Sequence, residues 1–245
     1  MNTKALRASL AAMLLSFASA FVGAFTMEPM TAFLAPSGAG NVATFRIVND
    51  GTERLAIRFR VLTRAASQGT QELNAPADEL FIVYPSRLLV EPGAAATAKV
   101  QWRGPAKLLA ERSFRFVAEQ VPIDAVSAKA GGSGLKIMFR YLAALYVGET
   151  DYAPDLVATV VGAAGSKGEK GYSVEIRNNG KRHIIAADTR IELGSNREQL
   201  ISSEELGPLS GANYLPGAGR KLFIPRSDAD EGRIYAARID YAGAY

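Results

Sequence analysis

Apolar and polar residues alternate in short runs along most of this chain. Residues 43–49 read ATFRIVN and residues 55–62 read LAIRFRVL, with Leu55, Ile57 and Phe59 on one side and Ala56, Arg58 and Arg60 on the other. That period of two is the mark of half-buried strands, and Asp50-Gly51 between them predicts a hairpin. Further short strands are expected at residues 81–84, ended by Pro85, at 87–90, which runs into Glu91-Pro92-Gly93, and at 98–102 and 113–119, closed by Pro122. Residues 134–147 (GLKIMFRYLAALYV) follow a glycine-dense segment. From Leu135 to Tyr141 this stretch sorts by parity, with Leu135, Ile137, Phe139 and Tyr141 on one face and Lys136, Met138 and Arg140 on the other.

A polar, proline-marked stretch at residues 149–154 predicts a linker between domains. Beyond it, strands are expected at residues 156–161, 172–177, 184–188, 189–193, 220–224 and 234–241, with Asn178-Asn179-Gly180 as a turn. Many short strands with regular turn signals describe an all-β chain, and its first domain has the pattern of a sandwich. The domains expected are residues 25–147 and 148–245.

The first 24 residues carry a different pattern. Lys4 and Arg7 precede an apolar run at residues 10–17, and Ala18 and Ala20 fit a small-residue cleavage site, with a second possible cut after Ala24. This is the layout of a secretory signal peptide, and the run is short of the roughly 20 residues that span a bilayer. No later stretch is long and apolar enough to cross a membrane. Export is therefore expected.

Charge and composition then exclude several classes. The 245 residues carry 28 basic and 24 acidic side chains, a net charge of +4; without Lys4 and Arg7, 26 basic residues face the 24 acidic ones, a net +2. That balance gives no sign of nucleic-acid binding. Cysteine is absent, which removes disulfides, thiolate metal sites and thiol catalysis. The single histidine, His183, stands beside Arg182 near a turn, and no G-x-S-x-G motif is present to supply a nucleophile. The acidic run Asp228-Ala229-Asp230-Glu231 lacks the spacing of a calcium loop. Neither Gly131-Gly132-Ser133-Gly134 nor Gly165-Ser166-Lys167 is a phosphate loop, since no G-x-x-x-x-G-K pattern is formed. No enzyme, cofactor or metal site is expected.

Five segments, in order, resemble the periplasmic pilus-assembly chaperones of the chaperone–usher pathway. They are residues 81–93, with a proline before a strand and a Pro-Gly turn after it; residues 110–122, closing on Pro122; LKIMFR at 135–140; VEIRNNG at 174–180; and Ile239-Asp240-Tyr241 with Gly243 near the end. The resemblance implies two immunoglobulin-like β-sandwiches in a boomerang arrangement. It also implies a periplasmic protein that binds pilus subunits, completes their sandwich by strand donation and delivers them to an outer-membrane usher. No bond is made or broken in such a task, and the physical basis is β-augmentation.

Carried onto this chain residue by residue, the resemblance makes Lys136 the cation that anchors a subunit carboxylate. Leu135 and Ile137 become the donor side chains, with Val126 and Ala128 as upstream candidates and the register left open. Arg140 and Asp240 match the family's interdomain charge pair, with Glu111 as a third candidate. One departure concerns the first strand, where the family has a second anchoring arginine and residues 26–34 (TMEPMTAFL) have none; Arg87 is the expected substitute. The alternative is an exported pilus subunit or adhesin. That reading calls for an alternating N-terminal arm and one incomplete domain, whereas residues 25–34 alternate poorly and two domains are legible.

Overall fold

A computed structural model of the chain describes residues 25–65, 72–123, 137–194 and 199–244. The expected signal peptide (residues 1–24) and the expected site residues Val126, Ala128, Leu135 and Lys136 lie outside the described residues.

The strands of the first half are β1 (Phe25–Glu28), β2 (Thr31–Leu34), β3 (Val42–Asn49), β4 (Leu55–Thr63), β5 (Phe81–Tyr84), β6 (Arg87–Val90), β7 (Ala95–Trp102), β8 (Arg112–Val121) and β9 (Arg140–Val147). They form a four-stranded sheet, β1-β3-β7-β5, and a five-stranded sheet, β2-β9-β8-β4-β6. The inward residues of both sheets make one core, in which Phe45 stacks on Phe116 and Phe81 meets Trp102 and Phe114 edge-on. This is the alternation of the sequence turned into a sandwich.

The hairpin expected between β3 and β4 does not form. β3 pairs with β1 and β7, whereas β4 pairs with β6 and β8 in the opposite sheet. Buried Asn49 is the reason: its Oδ1 accepts from Gly51 N, and its Nδ2 donates to the carbonyls of Glu53 and Val90. Those bonds turn the chain out of one ladder and across to the other. Residues 25–34 also change sheets, because β1 runs antiparallel to β3 and β2 runs parallel to β9, with Pro29 between them. Each half has its own short pattern, and Phe25 and Met27 are buried. The break hides that alternation when the segment is read as one strand.

The second half contains β10 (Leu156–Ala164), β11 (Lys170–Asn178), β12 (Ile184–Leu193), β13 (Gln199–Ile201), β14 (Ala212–Tyr214), β15 (Gly219–Pro225), β16 (Ile234–Tyr235) and β17 (Ala237–Ala244). One sheet is β15-β11-β10-β16; in the other, β12 pairs with β13, β14 and β17. A second core gathers Val160, Val174, Ile176, Ile191 and Tyr214 among others. Residues 184–188 and 189–193, expected as two strands, are one strand with an irregularity where Asp188 takes φ 49° and the register with β17 shifts. Residues 234–241, expected as one strand, are two: β16 pairs with β10, and β17 pairs with β12.

Asn178 closes β11 much as Asn49 closes β3. Fully buried, it donates from Nδ2 to Arg182 O (2.7 Å) and Tyr214 O (2.9 Å) and accepts at Oδ1 from Asp155 N (3.1 Å) and Gly180 N (2.9 Å). One side chain therefore satisfies four backbone groups from four places in the second sandwich. Asn178→Ala should lower stability by about 2–3 kcal/mol, since an orphaned buried polar group costs about 1–3 kcal/mol and water reaches some of the four. Urea unfolding followed by circular dichroism measures it, and a midpoint equal to that of the parent would refute this role.

Candidate functional site

The five-stranded sheet buries one face in the first core and turns the other outward. Register places Arg87 (β6), Arg58 (β4), Glu119 (β8) and Arg140 (β9) in one row across that outer face. Arg58 Nη2 donates to Glu119 Oε2 at 2.7 Å. That bond and the charges of Arg58, Arg140 and Arg60 outweigh burial and hold the Glu119 carboxyl below the usual carboxylate range. The next row carries Arg60, Val117 and Leu142. Nearer the second sandwich, Glu72 bonds both Arg115 and Arg64. Burial pushes the Glu72 carboxyl up, but the hydrogen bonds and charges of the two arginines outweigh that and leave it lowered. The face is basic, with arginines outnumbering these two carboxylates.

β9 is also a partly open edge. β2 covers it only from Ala144 to Val147, in parallel register beginning at Thr31. Among the described residues no strand lies against Arg140–Ala143 on that side, while β8 pairs with the other side along the whole strand. Gln120 N donates to Phe139 O, and Ala144 N donates to Met30 O. Backbone groups alternate sides along a strand, so the N–H and C=O groups of Arg140 and Leu142 point toward the open side. A half-exposed apolar stretch, Ile137 (48% exposed) and Met138 (42%), leads into this edge.

Among the described residues the strand starts at Arg140, and Ile137 to Phe139 lie outside it. Phe139 and Tyr141 pack on the core and Arg140 points outward, as parity predicts, but the paired stretch runs on through residues 140–147. From Ala143 onward both faces of β9 are buried. Ala143, Leu145 and Val147 enter the first core, whereas Ala144 and Tyr146 meet Leu215 of the second sandwich, with Phe33 and Ala218 beside them. The far end of β9 is thus the seat of the second domain.

The junction is polar at its centre. The Glu111 carboxylate, with no exposed surface, takes His183 Nδ1 at 2.7 and 2.9 Å from its two oxygens, and His183 N donates to it at 3.2 Å. A carboxylate only accepts, so the imidazole proton sits on Nδ1. The His183 ring stacks on Tyr146, centroids 3.6 Å apart and planes 4° from parallel. The Tyr146 hydroxyl accepts from Arg64 Nη1 (2.7 Å) and Asn213 Nδ2 (2.8 Å). Glu111 N donates to Lys181 O, Tyr152 OH donates to Leu108 O, and the Arg182 guanidinium lies 5.1 Å from the Phe33 ring centre. A cavity of about 310 Å³ opens beside this cluster, lined by Arg64, Glu111 and Ser113 from one sandwich and Leu215, Pro216 and Ala218 from the other.

Several expected site residues stand elsewhere. Arg140 and Asp240 are not paired: Asp240 lies 3.7 Å from Arg190 Nε and 3.5 Å from Arg238 Nε, both within the second sandwich. Cross-strand register explains this, since Arg190 and Asp240 are directly opposite on β12 and β17. Arg87 is exposed on β6, the far edge of the sheet. Three strand spacings, about 14 Å, separate it from β9, so it does not share a point with side chains at the open edge. Nothing in the sequence marks His183, Tyr146 and Asn213 as junction residues. A lone histidine in a basic turn carries no signal of a partner 72 positions earlier in the chain.

No protein-family model matches the chain, and no curated protein sequence does. Solved structures do. A class 5 fimbriae chaperone, CfaA, is similar over 89% of this chain and 98% of its own, with 16% identity and a TM-score of 0.57. A chain of the CsuC–CsuE chaperone–tip subunit complex from the archaic chaperone–usher Csu pili of Acinetobacter baumannii matches at 12% identity and TM-score 0.52, over 81% of this chain and 89% of that one. A chain of the Salmonella enterica SafA pilin–SafB chaperone complex matches at 12% and 0.52, over 90% and 97%. Together with the four sheets and two cores, these matches show that the chain has the two-domain immunoglobulin-like fold of the pilus chaperones of the chaperone–usher pathway.

Proposed function

We propose that the chain is an exported periplasmic chaperone, not an enzyme, that binds pilus subunits by lending them a strand edge and passes them to an outer-membrane usher. In this reading residues 1–24 are removed, residues 25–147 hold the cargo and residues 148–245 form the second arm. The observation that carries it is the open side of β9 at Arg140–Ala143, led into by Ile137 and Met138. An incomplete sandwich needs a strand, and among the described residues no strand pairs with the backbone groups of Arg140 and Leu142 on this side, which lie beside apolar side chains. Leu135 and Ile137 are the proposed donor side chains, with Val126 and Ala128 upstream, and Lys136 the proposed anchor. Glu111 is the proposed interdomain pin.

Backbone direction supplies a clean test. Leu142 points its N–H away from β8, so Leu142→Pro removes an edge donor without breaking the ladder to β8. The parent protein, tagged and isolated from a periplasmic extract, should bring down single-sandwich pilus subunits identifiable by mass spectrometry. Leu142→Pro should keep a cooperative melt and recover none. Parental recovery by the folded variant, or no subunit with the parent, would overturn the proposal.

A further inference from the structure

We infer that the strand accepted at the β9 edge carries a carboxylate opposite Arg140. The inference rests on the strand-donation reading and adds the chemistry of the partner. Charges along the row that crosses the sheet run Arg87, Arg58, Glu119, Arg140 and then stop at the open side. Glu119 is committed to Arg58 by a 2.7 Å hydrogen bond and faces Arg140 only through its longer-range field. Arg140 is exposed and has its backbone groups on the open side. A strand laid against that side places one of its outward side chains directly beside Arg140 and the next outward one beside Leu142, two residues on.

The row holds three guanidinium groups and one carboxylate, so a cation opposite Arg140 is repelled, and an acid there gives Arg140 a neighbour of opposite sign. Leu142, half-buried beside Val117 in the neighbouring row, asks for an apolar neighbour. The partner segment therefore reads acid, inward residue, apolar residue if it runs parallel to β9, and apolar residue, inward residue, acid if it runs antiparallel.

Three fluorescently labelled eleven-residue peptides test this. Each alternates valine and threonine, and the central threonine is replaced by Glu, Gln or Lys. Anisotropy titrations with the full chain at low salt should rank them Glu, Gln, Lys, with about a two- to fivefold step in affinity, the range of one cross-strand charge pair. Arg140→Glu should reverse the order, and Arg140→Gln should level it; the second variant serves if the first melts below the working temperature. Equal affinities for the three peptides on the parent, or an order unchanged in Arg140→Gln, would overturn the inference while leaving strand acceptance intact. Absence of binding by every peptide would mean that the edge takes no strand, and both readings would fall together.

Discussion

Glu111→Ala should cost the chain about 3–5 kcal/mol and loosen the angle between its sandwiches. The carboxylate is fully buried and receives two donors, the backbone N–H and the Nδ1–H of His183. Truncation leaves both donors facing a hydrocarbon-sized gap, and removing one side of a buried, charge-assisted pair is among the most destabilising single changes. The effect is not confined to one domain. His183 belongs to the second sandwich and stacks on Tyr146 of the first, whose hydroxyl is tied to Arg64 and Asn213. Without Glu111 the imidazole loses the contact that fixes its ring plane, and the stack loses its alignment. Glu111→Gln keeps one acceptor oxygen and should lose less than half as much. Urea unfolding gives the stability difference, and small-angle scattering gives the distribution of interdomain angles. A parental scattering profile with a parental midpoint in Glu111→Ala would remove Glu111 from the junction's energetics.

Legibility in the sequence followed the range of the interaction. Alternation is a nearest-neighbour property, so most strands of both sandwiches could be read directly, and residues 55–62 and 172–177 lie where expected. Which sheet a strand joins depends on a partner far along the chain. Asp50-Gly51 reads as a hairpin because the bond from Asn49 to Val90, 41 positions away, has no local signature. The two-faced burial of β9 was hidden for a similar reason. Parity sorts Leu135 to Tyr141 into an apolar and a polar face, but what covers Ala144 and Tyr146 further along is Leu215 from the other domain. Resemblance singles out residues 135–140 and implies an Arg140–Asp240 pair, in place of which cross-strand register sets Arg190 opposite Asp240. His183 carries no junction signal because a histidine's partner is a matter of geometry, and its partner, Glu111, lies in the other domain.

Lys136→Ala should abolish recovery of pilus subunits while leaving the chain folded. Lys136 lies outside the described residues. It precedes Ile137 and stands four positions before Arg140, where the exposed lead into the open β9 edge begins. Resemblance assigns a carboxylate-binding lysine to this position, and a charge-assisted pair shielded by an added strand is stronger than a solvated one. Losing one member of a desolvated pair costs about 2–5 kcal/mol, far more than losing a rim charge, which is enough to convert stable capture into none on a column. Lys136→Arg should be partly tolerated, because a guanidinium keeps the charge but presents a planar fork in place of a compact ammonium. Lys129→Ala, in the glycine-dense segment, is the control and should recover subunits as the parent does. The assay is co-purification from periplasm, with the thermal midpoint of each variant measured beside it. If a folded Lys136→Ala protein retains its cargo, the anchor is another cation. Arg140 would then be the first to test, since Arg87 lies three strands away from the edge that the cargo would occupy.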